Sequence, residues 1–179
     1  VRLRWRVLFA AIDLVGGLLF AVARRLRRRP IGQGNPGRIL LVQLDHMGDA
    51  VITTVMLPAL RRRYPQASIE VLVGAWNREL FEALPEVDRV HVSRLNRFSR
   101  SGRFGWVAAT LWWGLALRRR KIDLAIDVRG EFPLALVLWL CGARTRVGWD
   151  CGGGRLLLTH SPAYVHHRPE TESRLALLA

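Results

Sequence analysis

Residues 39–73 read ILLVQLDHMGDAVITTVMLPALRRRYPQASIEVLV. Residues 38–44 (RILLVQL) form a short apolar run of β-formers with no helical stripe, the pattern of a strand buried on both faces. Residues 45–48 are a loop, and Asp49 stands at the start of a helix over residues 50–63. Tyr64-Pro65 closes that helix, because the residue before a proline is pushed out of the helical region. Residues 68–73 are a second strand. The alternation then repeats, with a short helix at 77–84, a strand at 88–92, a helix at 104–120 and a strand at 122–127. An apolar helix at 132–141, a short strand at 144–148, a glycine turn at 152–154 and a closing helix at 170–178 complete it. Strands and helices alternating at this spacing specify an α/β fold with a Rossmann-like, mostly parallel sheet covered on both faces.

The 179 residues are half apolar and 23% charged, which suffices for one such domain with a sizeable core. The composition excludes a disordered tail, a collagen-like repeat and a disulfide scaffold. Cys141 and Cys151 read as free thiols of a reducing compartment. The net charge of +14 is concentrated: residues 1–38 and 94–121 carry +8 each, 39–93 carry −2, and 122–179 balance. Two Arg-rich patches beside apolar segments suit an anionic membrane face, and they weaken the case for a nucleic-acid partner coated over the whole surface.

Residues 7–23 contain one charge, Asp13, and are bracketed by arginines on both sides. A membrane span needs about 20 apolar residues, so this run is marginal and carries a charge near its middle. On a helical wheel its polar and small residues gather on one side, which favours a helix lying in the membrane interface. An amphipathic helix packed on the protein's own body fits the same pattern. The arginines after the run and the lack of a small-residue cleavage site argue against a signal peptide. The organisation is then an amphipathic basic helix at 1–29, a linker at 30–37 (PIGQGNPG) and a Rossmann-like domain at 38–179.

In open parallel sheets ligands bind beyond the carboxyl ends of the strands. The first such loop, DHMGD at 45–49, has neither a GxGxxG fingerprint nor a Walker pattern, but it offers two carboxylates and an imidazole. Asp49 reads as an N-cap satisfying free backbone N–H groups or as a catalytic carboxylate, with spacing alone unable to choose. His46 is a turn residue or a substrate contact. The hydroxyls of Thr53 and Thr54, one turn on, serve a ligand or bond back within the helix. The His and Cys spacings match no metal-ligand pattern, and no metal is expected.

This stretch, together with DLAIDVRGEFPLALVLWLCGARTRVGWD at 123–150 and GGGRLLLTH at 152–160, resembles glycosyltransferase family 9, the heptosyltransferases of lipopolysaccharide synthesis and their relatives. The resemblance implies the amino-terminal, acceptor-binding half of a GT-B fold, with the donor-binding carboxy-terminal domain absent from this chain. It implies an inverting transfer of a heptose or related sugar from a nucleotide-sugar to a lipopolysaccharide-core or other envelope glycolipid acceptor, with no cofactor and no metal. On this resemblance Asp49 is the general base, taking the proton of the attacking acceptor hydroxyl. Gly48 would let the backbone turn tightly and approach ligand, with His46 and Thr53 beside it. Arg129 and Gly130 fall in the family's Asp-x-Arg/Gln-Gly element, where a guanidinium would grip acceptor phosphates or carboxylates. Arg129 equally reads as a partner of Asp127 or Glu131. Arg144 and Arg146, with His160 farther on, match another family element and read as salt-bridging and turn-fixing residues. The sequence departs from the family at 169–173, where PETES replaces His-Glu-x-Glu-Arg and the His and Arg are missing.

Arg94, Arg97, Arg100 and Arg103 recur every third residue beside Phe98, Phe104 and Trp106, with Trp112 and Trp113 following. This pattern suits an anionic membrane surface engaged through 1–29 and 94–121, single-stranded nucleic acid, or a solvated variable loop. The favoured expectation is a cytoplasmic enzyme peripheral on the inner face of the bacterial cytoplasmic membrane. The rivals are a non-catalytic membrane-associated binding module and a basic nucleic-acid-binding domain.

Overall fold

A computed structural model describes residues 35–93, 103–149 and 151–178, with side chains described from Val107 onward in the helix that begins at Arg103. The basic helix expected at 1–29, most of the linker at 30–37 and the basic loop after Ser93 lie outside the described residues.

Among the described residues five strands form one parallel sheet: β1 (Arg38–Gln43), β2 (Ser68–Gly74), β3 (Arg89–Ser93), β4 (Leu124–Asp127) and β5 (Thr145–Gly148), in the order β3-β2-β1-β4-β5. β1 is central, with Leu40 opposite Glu70 of β2 and Ala125 of β4, and Val42 opposite Leu72 and Asp127. The unbroken apolar run of β1 is explained by this position, since Ile39 to Val42 are all completely buried. Ile39, Leu41, Ile69, Val71, Val73, Ile126 and Val128 form one core face, packed against Ala50, Met56, Leu57, Leu60, Phe81 and Leu177. Each fully buried side chain of leucine size contributes about 1.5–3 kcal/mol. By alternation the other face carries Leu40, Val42, Glu70, Leu72 and Asp127.

Among the described residues six α-helices follow the strands: α1 (Met47–Thr53), α2 (Met56–Arg63), α3 (Arg78–Glu82), α4 (Arg103–Arg118), α5 (Phe132–Leu140) and α6 (Glu170–Ala176). The single helix expected over 50–63 is two helices. Pro58 has no N–H to donate to the Thr54 carbonyl, which takes Leu57 N–H at 3.0 Å instead, while the Thr54 hydroxyl bonds back to Val51 at 2.7 Å. The helix also starts earlier than Asp49, at Met47, with His46 as N-cap residue and no side-chain capping bond.

Candidate functional site

β1 and β4 lie side by side, and the loops after them lead to helices on opposite faces of the sheet, so a crevice opens between their carboxyl ends. Its lining includes Leu44, Asp45, Arg129 and Glu131 from these loops, roofed by Ala109 and Trp113 of α4 and by Leu134 of α5. Asp45 of DHMGD and Arg129 and Glu131 of DVRGE therefore converge, although they stand some eighty positions apart in sequence.

Asp45 is almost fully buried, and its carboxylate forms an ion pair with Arg129. The Asp45 carbonyl accepts bonds from Trp76 Nε1 and Asn77 Nδ2, both at 2.9 Å, which fixes the loop against the turn after β2. Arg129 also pairs with Glu131 through Nε. Its partners are thus Glu131 and Asp45, while Asp127 serves the backbone. The Asp127 carboxylate accepts the N–H groups of Arg129 at 2.9 Å and Gly130 at 3.1 Å. Burial pushes the Asp127 carboxyl up to about 7, against the downward pull of those N–H donors.

Gly130 has φ +80°, and a Cβ there would lie 2.6 Å from Trp149 Cβ, so only glycine completes this turn without strain. Gly152 lies against it: a Cβ at Gly152 would sit 2.2 Å from the Gly130 carbonyl oxygen. The glycine turn at 152–154 thus serves as packing for the loop after β4.

Asp49 is not an N-cap. It is the third residue of α1, with its side chain 40% exposed at the carboxyl edge of the sheet and outside the lining of the crevice. Gly48 has no left-handed conformation, and a Cβ there would meet nothing within 4 Å, so the expectation that it supplies a tight turn is corrected. His46 is exposed. Thr53 is fully buried and donates to the Asp49 carbonyl at 2.7 Å, which removes it from the substrate contacts. Arg146 is buried and donates to the Leu157 and Ala143 carbonyls at 2.6 Å each, the turn-fixing role expected of it.

The sequence reading missed Arg174. Position 173 is a serine, but an arginine stands at the next position, 6% exposed on α6. Its guanidinium donates to the Val128 carbonyl at the end of β4 and lies 3.5 Å from Glu170 and 3.9 Å from Asp49. Arg174 therefore ties α6, the end of β4 and α1 together. The signal available was the Glu170–Arg174 spacing of four, which places both on one side of a helix. Among the described residues no three of His, Cys, Asp and Glu come together to hold a metal ion.

No family model matches the chain. Lipopolysaccharide heptosyltransferase 2 of Escherichia coli K12 is 30% identical over 112 residues, covering 63% of this chain and 31% of that protein. Among solved structures, the E. coli ADP-heptose lipopolysaccharide heptosyltransferase II superposes with a TM-score of 0.65 at 26% identity, over 79% of this chain and 40% of that one. The chain is similar to lipopolysaccharide heptosyltransferases. A family 9 glycosyl transferase from Veillonella parvula superposes with a TM-score of 0.71 at 20% identity, over 80% of this chain and 40% of that one, a likeness of fold. The chain spans about a third of the length of the curated heptosyltransferase it matches.

Proposed function

We propose that the chain is the acceptor-binding part of an inverting glycosyltransferase that moves heptose or a related sugar from a nucleotide-sugar to a lipopolysaccharide-core or other envelope glycolipid, at the inner face of an anionic membrane. The observation that carries this reading is Asp49 at the carboxyl edge of the central strand, 40% exposed and four residues after Asp45, which pairs with Arg129 in the crevice. The named activity of the E. coli relatives supports it.

A half-exposed carboxylate at this edge is in reach of an incoming hydroxyl and takes its proton as the oxygen attacks the anomeric carbon, the sugar being inverted and the nucleotide leaving from the opposite face. Arg174 meets Asp49 on its flank. Arg129 is the acceptor grip: an acceptor phosphate or carboxylate exchanges with Glu131 or Asp45 for the guanidinium. Gly130 holds the loop in the shape that presents Arg129, and the exposed His46 and the open space over Gly48 flank the approach. The donor is a co-substrate, and we assign no metal or cofactor to the reaction.

The test is transfer from ADP-heptose to a heptose-deficient lipopolysaccharide acceptor by the whole encoded protein. Asp49→Asn is expected to lower turnover by about 10²–10⁴-fold with circular dichroism and thermal unfolding unchanged. Full activity in that variant overturns the assignment of the base. Arg129→Gln is expected to raise the acceptor KM at least tenfold, and an unchanged KM overturns the grip.

A further inference from the structure

The helix that roofs the crevice has a second face. α4 turns Ala109, Thr110 and Leu117 inward, and Ala109, Thr110 and Trp113 line the crevice. Its outer side exposes Val107 (50%), Leu111 (44%), Trp112 (60%) and Leu115 (55%). At about 100° per residue these four fall within an arc of about 140°, a continuous ridge along the helix. Single exposed apolar residues are ordinary on a protein surface, whereas a ridge of four on one helix marks a contact surface.

The surroundings of the ridge say what covers it. Residues 94–121 contain no acidic residue. Arg118, Arg119 and Lys121 are exposed where the ridge ends, while Arg120 is held by Glu70 at 2.7 Å. Trp112 stands edge-on to Trp113, with ring centroids 4.6 Å apart, so the most exposed ring is anchored by a neighbour that lines the crevice. Aliphatic side chains along one stripe, an amphipathic indole within it and cations at its end match the boundary between acyl chains and anionic headgroups. Single-stranded nucleic acid calls for guanidinium groups and rings along the stripe itself, and the stripe is mostly aliphatic.

We propose that the outer face of α4 docks on an anionic bilayer, so that the helix whose inner side lines the crevice brings the crevice to the lipid surface. This rests on the reading of the acceptor as a glycolipid and adds the orientation: the headgroup reaches Arg129 from the membrane without the lipid leaving it.

The test uses the full chain carrying Cys151→Ser, which leaves the buried Cys141 as the remaining native thiol. Leu111→Cys is then labelled with an environment-sensitive fluorophore, with Val107→Cys as a second probe on the ridge and, as control, a cysteine in place of the exposed Glu82 of α3 (Glu82→Cys). Vesicles of phosphatidylglycerol and phosphatidylethanolamine are expected to raise the emission of both ridge probes severalfold with a blue shift. Phosphatidylcholine vesicles are expected to leave them unchanged, as is the control probe in either lipid. Silent ridge probes on a chain that sediments with the anionic vesicles overturn the proposal. A blue-shifted signal before any vesicle is added, whether or not it grows with protein concentration, also overturns it by assigning the ridge to a second copy or to the chain itself. A stronger response to single-stranded RNA than to the anionic vesicles does the same. None of these readouts requires sugar transfer, so their failure is distinct from failure of the Asp49 test.

Discussion

Glu70 and Asp127 are both completely buried carboxylates on the same face of the sheet, two register positions apart, and the protein treats them in opposite ways. Burial alone would raise both. Glu70 meets His91 Nε2 at 2.6 Å and Arg120 at 2.7 Å, and these hydrogen bonds with their charges bring its carboxyl down to about 2. Asp127 receives backbone N–H groups, with Glu131 nearby, and stays at about 7. The difference lies in what reaches each position. Glu70 sits within β2, where the neighbouring β3 and the chain leaving α4 supply partners, whereas Asp127 ends β4, where the chain turns away to build the crevice. The carboxyl within its strand is answered by two charged side chains, and the one at the end of its strand is left to backbone N–H groups.

The comparison is sharpest when Glu70 loses its guanidinium. Arg120→Met is expected to destabilise the fold by about 3 kcal/mol, because it leaves a buried carboxylate with one partner, and urea unfolding measures it. Acid sharpens the same side: a carboxyl lowered from 4.5 to about 2 contributes stability that is complete above pH 4.5 and lost as pH falls toward 2. Thermal unfolding of Glu70→Gln should show a shallower acid limb than the parent. Asp127 has the opposite sign. Its folded carboxyl keeps a proton that the unfolded chain releases between pH 3.8 and about 7, so its contribution to stability falls as pH rises through that window. Asp127→Asn is expected to be about 1 kcal/mol less stable than the parent at pH 5, where it lacks one acceptor, with the gap narrowing toward pH 8. Arg78→Ala breaks an exposed pair with Glu82 and is expected to shift stability by less than about 0.5 kcal/mol, the reference for a charge that solvent already answers.

Strand positions and their mostly parallel pairing were legible because a strand buried on both faces needs an unbroken apolar run, and residues 38–44 have one. The crevice was legible as two loops at strand ends. The break between α1 and α2 was harder, because Pro58 lies in the third position of α2 and disturbs the turn before it rather than its own. The sequence places Asp49 at a helix start, as a cap or as a catalytic carboxylate, yet the helix forms a turn earlier over Met47 and Gly48, which sit in solvent. Arg174 escaped because its role is three-dimensional: its partners Val128 and Asp49 are 46 and 125 positions away. Asp127 was read only as a possible partner of Arg129, since nothing local shows that a strand end will be closed over.

The place of β1 at the centre of the sheet has a consequence for synthesis. Its β2 side is paired within about thirty residues of chain, but its other side waits for β4, which begins roughly eighty residues after β1 ends. At about 5–20 residues per second, a growing polypeptide holds that raw hydrogen-bonding edge open for on the order of ten seconds. A holdase at the ribosome exit would find its purpose in that interval.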